Sequence, residues 1–532
     1  MNLSQTNPLE NTRAQRIPWD LLISLVPPLL FVTVMALYFP FRAAFELDPD
    51  EGVNAMKSLL LLKGYPLYDS VWSDQPPLFT YLLATAYRIL DPGANVGRFL
   101  VLLFSGALVW AVFRFLHKTW GLPHAAAGVI LLVLVPDYLN LSVSTMIGLP
   151  AIALAALAMS ALGAWHRTQH PGFLALSALL LALSLMTKLF TAFLTPVFLV
   201  GILTGEAMRL RGRDHPLQAL RSTWKAGLRP ALLWSLVLGV VLLTALLIMI
   251  GPANLYQLIA PHLEADLPAF LGDQPVEEII TYSINDYLKP ALLVLLLAVL
   301  GLIATLRTRR WAGLYPAAWM AGAYLLLTFH DPVWYHHSLL VTVPAAVLAG
   351  AAVGEALGAV PALLSALRRR WAGALFVAAA LGLAALTLAV RLPLVSEQFE
   401  RVDRDLRTFQ PVQGIMTTMQ RYADVTKWVV TDLPSYAFFT GKASPPELAV
   451  ITSKRYKTGE LSEDEIIAVI EKYRPEQVLV GRFKYNGPLI PYLQEHYKLV
   501  FQQGRKQLYL REDVELREDD VDLRYVGPKD RR

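Results

Sequence analysis

Within the segment Phe45-Glu-Leu-Asp-Pro-Asp-Glu-Gly52, three carboxylates cluster after Leu47: Asp48, Asp50 and Glu51. A fourth, Asp74, precedes a proline pair in Ser73-Asp-Gln-Pro-Pro77. A positioned carboxylate can take a proton from a hydroxyl nucleophile. The plain alternative is that these acids cap a helix, whose N-terminus favours anions. A second group is His330-Asp-Pro-Val-Trp-Tyr-His-His337. Tyr335, His336 and His337 suit donation to a phosphate oxygen, where charge develops as a leaving group departs. The alternative here is an interfacial belt of Trp and Tyr. Adjacent histidines point apart, so a metal site built on them is the weaker reading. Lys188 lies inside an apolar run, and a lysine at that depth is costly unless it works. Its alternative is snorkelling from a turn. His262 and Glu264 border the same outer region, with a solvated loop as their alternative.

The elements that must position these residues are membrane helices. Of 532 residues, 55% are hydrophobic and 17% charged, against about 25% charged in ordinary soluble proteins. Of the 89 charged residues, 44 fall in 392–532 and 45 in 1–391. This predicts a membrane domain over 1–391 and a water-soluble domain over 392–532. Cysteine is absent, which excludes disulfides and thiolate chemistry. The net charge of +5 is spread out, and no basic run interleaved with aromatics points to nucleic acid.

Apolar stretches long enough to span are read at about 21–40, 76–90, 98–116, 122–136, 147–164, 172–205, 230–251, 288–306, 313–329, 338–357 and 371–391. That gives about 11 spans, or 12 to 13 if segments such as 172–205 divide. Basic loops stay in the cytoplasm. Arg209, Arg211, Arg213, Arg221, Lys225 and Arg229, then Arg307, Arg309 and Arg310, then Arg368 to Arg370, all mark one side if 172–205 crosses once. The loop at 252–287 carries six acids and no Lys or Arg. The N-terminus, with Arg13 and Arg16, is then cytoplasmic, and the C-terminal domain lies outside a cell membrane. The first span reads as an uncleaved signal anchor. Arg98 opens the third span and is expected to anchor it on the cytoplasmic side.

The first outer loop covers 41–77. Its acids are followed by a helix-compatible run from Val53 to Gly64, too short to span and suited to the interface plane. In the C-terminal domain, strand-like runs at Trp428–Val430, Gln477–Val480 and Lys498–Gln502 alternate with helical patterns at Glu463–Tyr473 and Leu489–His496. This predicts a small α/β domain.

The pattern Asp-Glu-Gly, a short helix, Gly-x-x-x-Tyr and then Asp-x-Pro-Pro-Leu resembles the first outer loop of GT-C membrane glycosyltransferases. It is most similar to glycosyltransferase family 39, the protein O-mannosyltransferases and the aminoarabinose transferase acting on lipid A. The resemblance implies inverting sugar transfer from a polyprenyl-phosphate donor to a lipid, glycan or protein acceptor. It implies Asp50 as the catalytic base, with Glu51 beside it, Asp48 as a nearby alternative and Asp74 as the second acid. Tyr335, His336, His337 and Lys188 would face the donor phosphate; His262 and Glu264 would face the acceptor. The aminoarabinose transferase has a lysine after its second acid, and this chain has Gln75 there. No cofactor is implied with certainty; a divalent cation bridging Asp50 and phosphate is compatible with the family. A transporter or flippase for polyprenyl-linked glycolipids is the competing reading, but such proteins show internal repeats and gapped helices, and no repeat is evident.

Overall fold

The computed structural model describes residues 19–517 apart from 211–215, 264–281, 331, 366–370 and 408–409. The helical part begins with α1 (Trp19–Tyr38), α2 (Asp50–Leu62), α3 (Leu78–Leu90), α4 (Ala94–Thr119), α5 (Leu122–Val133), the single turn α6 (Tyr138–Leu141), α7 (Gly148–Thr168), α8 (Pro171–Leu185) and α9 (Leu194–Leu210). It continues with α10 (Pro216–Ala245), α11 (Leu255–Leu263), α12 (Ile284–Leu288), α13 (Leu292–Thr308), α14 (Leu314–Thr328), α15 (Leu339–Ser365) and α16 (Trp371–Arg407). Seven described helices are long and apolar enough to cross a membrane. Their outward residues are apolar as well: Leu29 and Leu30 on α1, and Leu232 and Leu236 on α10, are exposed. That is the inverse of a soluble surface and fits contact with lipid.

Contacts at the helix ends sort the bundle into two faces. Lys118, ending α4, pairs with Asp20, starting α1, at 2.8 Å. At the opposite end, Arg98 of α4 donates to the carbonyls of Phe41 and Ala44, just after α1. The two helices are therefore antiparallel neighbours, and α3 between them does not cross. The span expected at 76–90 is a 13-residue helix that packs beside α2 at the face where α1 ends. It reads as a span because its composition is apolar, but about 20 Å of helix is short of the hydrocarbon core.

The segment 172–205 is also corrected. The carbonyl of Met186, after α8, accepts from the Leu78 amide at 2.9 Å, so α8 reaches the face bearing α3. Gly205 of α9 lies against His166 at the end of α7, so α9 returns to the other face. The segment crosses twice, with Lys188 at the turn in extended backbone, not in mid-span. The two corrections cancel. Of the helices that run between the faces, α1, α4, α7, α10, α13, α15 and α16 are long and apolar enough to cross a membrane, and α5, α8 and α9 are shorter. The turn that carries Arg307, Arg309 and Arg310 therefore keeps its expected side. Arg98 does not: it sits at the face of the first outer loop, not at the basic one.

Small residues let the central helices approach closely. A Cβ at Gly350 of α15 would collide with the Gly128 backbone of α5, and one at Gly301 of α13 with the Leu348 backbone of α15. Close backbone approach of this kind is how helices pack in lipid.

Helix α16 runs without a break past position 391. Beyond it come α17 (Gln410–Arg421), β1 (Val429–Thr431), α18 (Pro434–Phe439), α19 (Ser453–Lys457), α20 (Glu463–Tyr473), β2 (Gln477–Val480), α21 (Leu489–His496), β3 (Tyr497–Gln503) and β4 (Lys506–Arg511). The sheet order is β1-β2-β4-β3, with β1 and β2 parallel and the other pairs antiparallel. The buried carboxylate of Asp432, following β1, accepts from the Gly481, Arg482 and Phe483 amides after β2, which staples the parallel pair. The fourth strand was not read from the sequence. It forms a hairpin with β3 around Gly504, whose φ of 59° favours glycine.

Candidate active site

The expected acidic cluster divides into three different roles. Pro49 precedes α2, and Asp48 Oδ1 accepts from the Asp50 amide at 2.9 Å. Asp48 is therefore the residue that satisfies the open helix end. Its other oxygen accepts from the Tyr335 hydroxyl at 2.6 Å. Burial, with the neighbouring Asp50 charge, pushes the Asp48 carboxyl up to about 6. Asp50, one turn outward, is exposed, and among the described residues no hydrogen bond or ion pair occupies its carboxylate.

Glu51 faces the other way and is saturated. Oε2 accepts from Arg98 Nη2 at 2.7 Å and from the Leu47 amide at 2.9 Å. Oε1 accepts from Arg98 Nε at 3.2 Å and from the Thr145 amide at 2.8 Å. The Arg98 and Glu51 side chains are 1% and 8% exposed. With no free lone pair and no path to solvent, Glu51 ties the start of α2 to α4 and to the segment before α7. Arg98, expected to anchor its span on the cytoplasmic side, is instead bound into the first outer loop.

Asp74 lies across the return of the first loop. It pairs with Lys454 Nζ of α19 at 2.9 Å. His262 of α11 stands 3.8 Å from its carboxylate and 3.1 Å from its carbonyl oxygen. Lys454 is also 3.2 Å from His262 Nδ1. Burial alone would raise the Asp74 carboxyl, but the charges of Lys454, His262 and Lys57 outweigh it and hold it well below the usual carboxylate range. Lys57, on the inner face of α2, is buried with a long 3.5 Å contact to Ser73. Burial lowers its ammonium while Asp74 and Asp50 oppose that.

The third wall comes from the turn preceding α15 and from Lys188. Lys188 Nζ lies 4.7 Å over the Phe190 ring, and the rings of His337 and His330 flank the same phenyl group. Lys188, His336 and His337 line one small cavity with Gly148 and Thr191. His337 Nδ1 accepts from the Trp334 amide, whereas His336 Nδ1 is buried and without a protein partner. The charges of Asp50, Asp74 and Asp48 are all felt at Lys188, so the acids and this cavity lie at the same face. A larger apolar cavity at the opposite face, beneath His166 and Tyr315, has no acid in its lining.

Of the residues expected in the site, Asp50, Asp74, Tyr335, His336, His337, Lys188 and His262 converge. Glu264 lies outside the described residues. Among the described residues no group of three His, Asp or Glu is arranged to hold a metal ion. Lys454 and Lys57 were missed. Lys57 sits in an apolar helical run and signals itself only by that contrast; Lys454 is 380 positions from its partner, and no local pattern could have paired them.

The carboxylates at the start of α2 and in the loop before α3 lie at one face of the bundle, against the C-terminal unit. Residues 74–234 match the family described as dolichyl-phosphate-mannose-protein mannosyltransferase. The structure resembles that of ArnT from Cupriavidus metallidurans in the apo state, with a TM-score of 0.54 at 14% identity over 92% of this chain and 97% of that one. It resembles the same protein bound to undecaprenyl phosphate equally, at 13% identity over the same shares. The oligosaccharyltransferase of Archaeoglobus fulgidus in the apo form gives a TM-score of 0.52 at 13% identity over 88% of this chain and 70% of that one. At such identities the likeness establishes the fold. None of the curated proteins matches the chain.

Proposed function

We propose that this chain transfers a sugar from a polyprenyl-phosphate donor to an acceptor hydroxyl, with inversion, at the outer membrane face. The observation that carries the reading is the free, exposed Asp50 carboxylate, close enough to Lys188 for its charge to be felt there. Asp50 takes the proton as the acceptor oxygen bonds to the anomeric carbon. The bond from that carbon to the phosphate oxygen breaks, and its electron pair leaves with the phosphate. Lys188 and the His336 ring, which has a nitrogen free of protein partners, stabilise the charge that develops there. Asp48, held by Tyr335, fixes the start of α2 and so the position of Asp50, and alignment of this kind supplies much of an enzymatic rate. The lipid tail needs an apolar lateral path, which the exposed apolar helix surfaces offer.

Two observations support the family reading: the match to a mannosyltransferase family over 74–234, and the fold shared with a protein whose structure holds undecaprenyl phosphate. A transporter is disfavoured because the charged groups gather at one face, not along a path through the bundle. Charge supports the membrane face: Arg307, Arg309 and Arg310 lie opposite the site, and basic turns favour the cytoplasmic side. The test is transfer of labelled sugar from polyprenyl-phosphate donors by the purified protein. Absence of transfer with every polyprenyl-phosphate sugar offered, by a protein that is folded, would sink the reading.

A further inference from the structure

The C-terminal unit is fastened to the first outer loop at several points. Trp72 Nε1 donates to Glu460 at 2.9 Å, and the Arg455 guanidinium lies 5.2 Å over the Trp72 ring. Ser435 donates to Glu46, and Gly52 of α2 packs so closely on the Ser435 backbone that a Cβ would lie 2.8 Å from its Cα. Between these points, α19 is pinned from behind by Arg455, which donates to the Glu447 and Val450 carbonyls. Those restraints aim the preceding residue, Lys454, at Asp74.

An ammonium has three donors. One Lys454 proton serves Asp74 at 2.9 Å and another faces His262 Nδ1 at 3.2 Å. The side chain keeps 28% exposure, so these two partners do not fully enclose it and one donor is left over. Its charge is felt at Lys188 and at His337, although it arrives from a different domain. Two ammonium groups whose fields overlap at a half-enclosed site are best satisfied by an anion between them. In the first loop itself, Gln75 after Asp74 is neutral.

We propose that Lys454 is a donor-phosphate-binding residue, so that the C-terminal unit completes the active site instead of only presenting an acceptor. This rests on the reading of the site as a polyprenyl-phosphate site. On binding, the remaining Lys454 donor meets a phosphate oxygen while Asp74 and His262 hold the ammonium in place. A charge-assisted contact of this kind corresponds to a loss of about tenfold to a hundredfold in affinity when it is removed.

The test measures binding of undecaprenyl phosphate to the full-length protein in detergent, with the unfolding midpoint of each variant. Lys454→Ala is expected to weaken binding about tenfold or more, and Lys454→Arg to restore most of it. Trp72→Phe removes a docking bond without touching the site, and is expected to lower the midpoint while leaving affinity unchanged. Equal affinity of wild type and Lys454→Ala would overturn the inference alone. So would a loss with Trp72→Phe as large as that with Lys454→Ala, because loosened docking would then explain both. Failure of the wild type itself to bind would overturn the functional reading and this inference with it.

Discussion

Glu51→Gln separates structure from chemistry in the acidic cluster. The wild-type carboxylate accepts four hydrogen bonds, two from Arg98 and one each from the Leu47 and Thr145 amides. An amide has one acceptor oxygen and turns an NH2 group toward donors on the other side. Arg98 keeps the Phe41, Ala44 and Phe45 carbonyls, but its buried charge loses its counter-ion. Leaving one half of a buried pair costs roughly 3 to 5 kcal/mol, a large part of a typical stability of about 5 to 15 kcal/mol. The expected outcome in detergent is a clearly lowered unfolding midpoint, with a transfer rate per folded molecule within about tenfold of wild type. Glu51→Leu combined with Arg98→Met is expected to stay destabilised, because the Phe41, Ala44 and Phe45 carbonyls and the Leu47 and Thr145 amides lose their partners. A Glu51→Gln protein with an unchanged midpoint and a rate lowered more than a hundredfold would refute the reasoning and return Glu51 to the chemistry.

Two further outcomes follow. Asp48 has its carboxyl raised from an ordinary 3.8 to about 6; its protonated form is thus favoured by folding, and stability is lost as pH rises from about 4 to 6, by roughly 3 kcal/mol in all. The midpoint of Asp48→Asn relative to wild type is expected to climb through that window and level off above it; a difference independent of pH would contradict the assignment. A reporter fused after Leu392 is expected to be active only outside the cytoplasm. Activity inside would mean an even number of crossings and would reverse the site's membrane face.

What the sequence disclosed depended on the range of the interactions involved. Asp50 and Asp74 were readable because acids beside short apolar segments and a proline pair are locally anomalous. Strand β2 and helices α20 and α21 were readable to the residue, since alternation and helical periodicity are local. The helix α3 was misread because 13 apolar residues look alike in a half-length surface helix and a crossing; only the Lys118–Asp20 and Arg98 contacts distinguish them. The second crossing in 172–205 was hidden by the same ambiguity, and charge patterning could not expose either error because they cancel in parity. The roles within Asp48-Pro-Asp50-Glu51 depend on Tyr335, Arg98 and Thr145, all distant in sequence, and so appeared only in three dimensions.

The central claim is that Asp50 is the base of a sugar transfer from a polyprenyl phosphate. The direct measurement compares wild type with Asp50→Asn in transfer of labelled sugar at saturating donor. Because Asp50 is exposed and no described group pairs with it, the substitution is expected to leave the unfolding midpoint unchanged while lowering the rate about a hundredfold to ten-thousandfold, the usual contribution of general base catalysis. Equal rates from the two proteins would contradict the account.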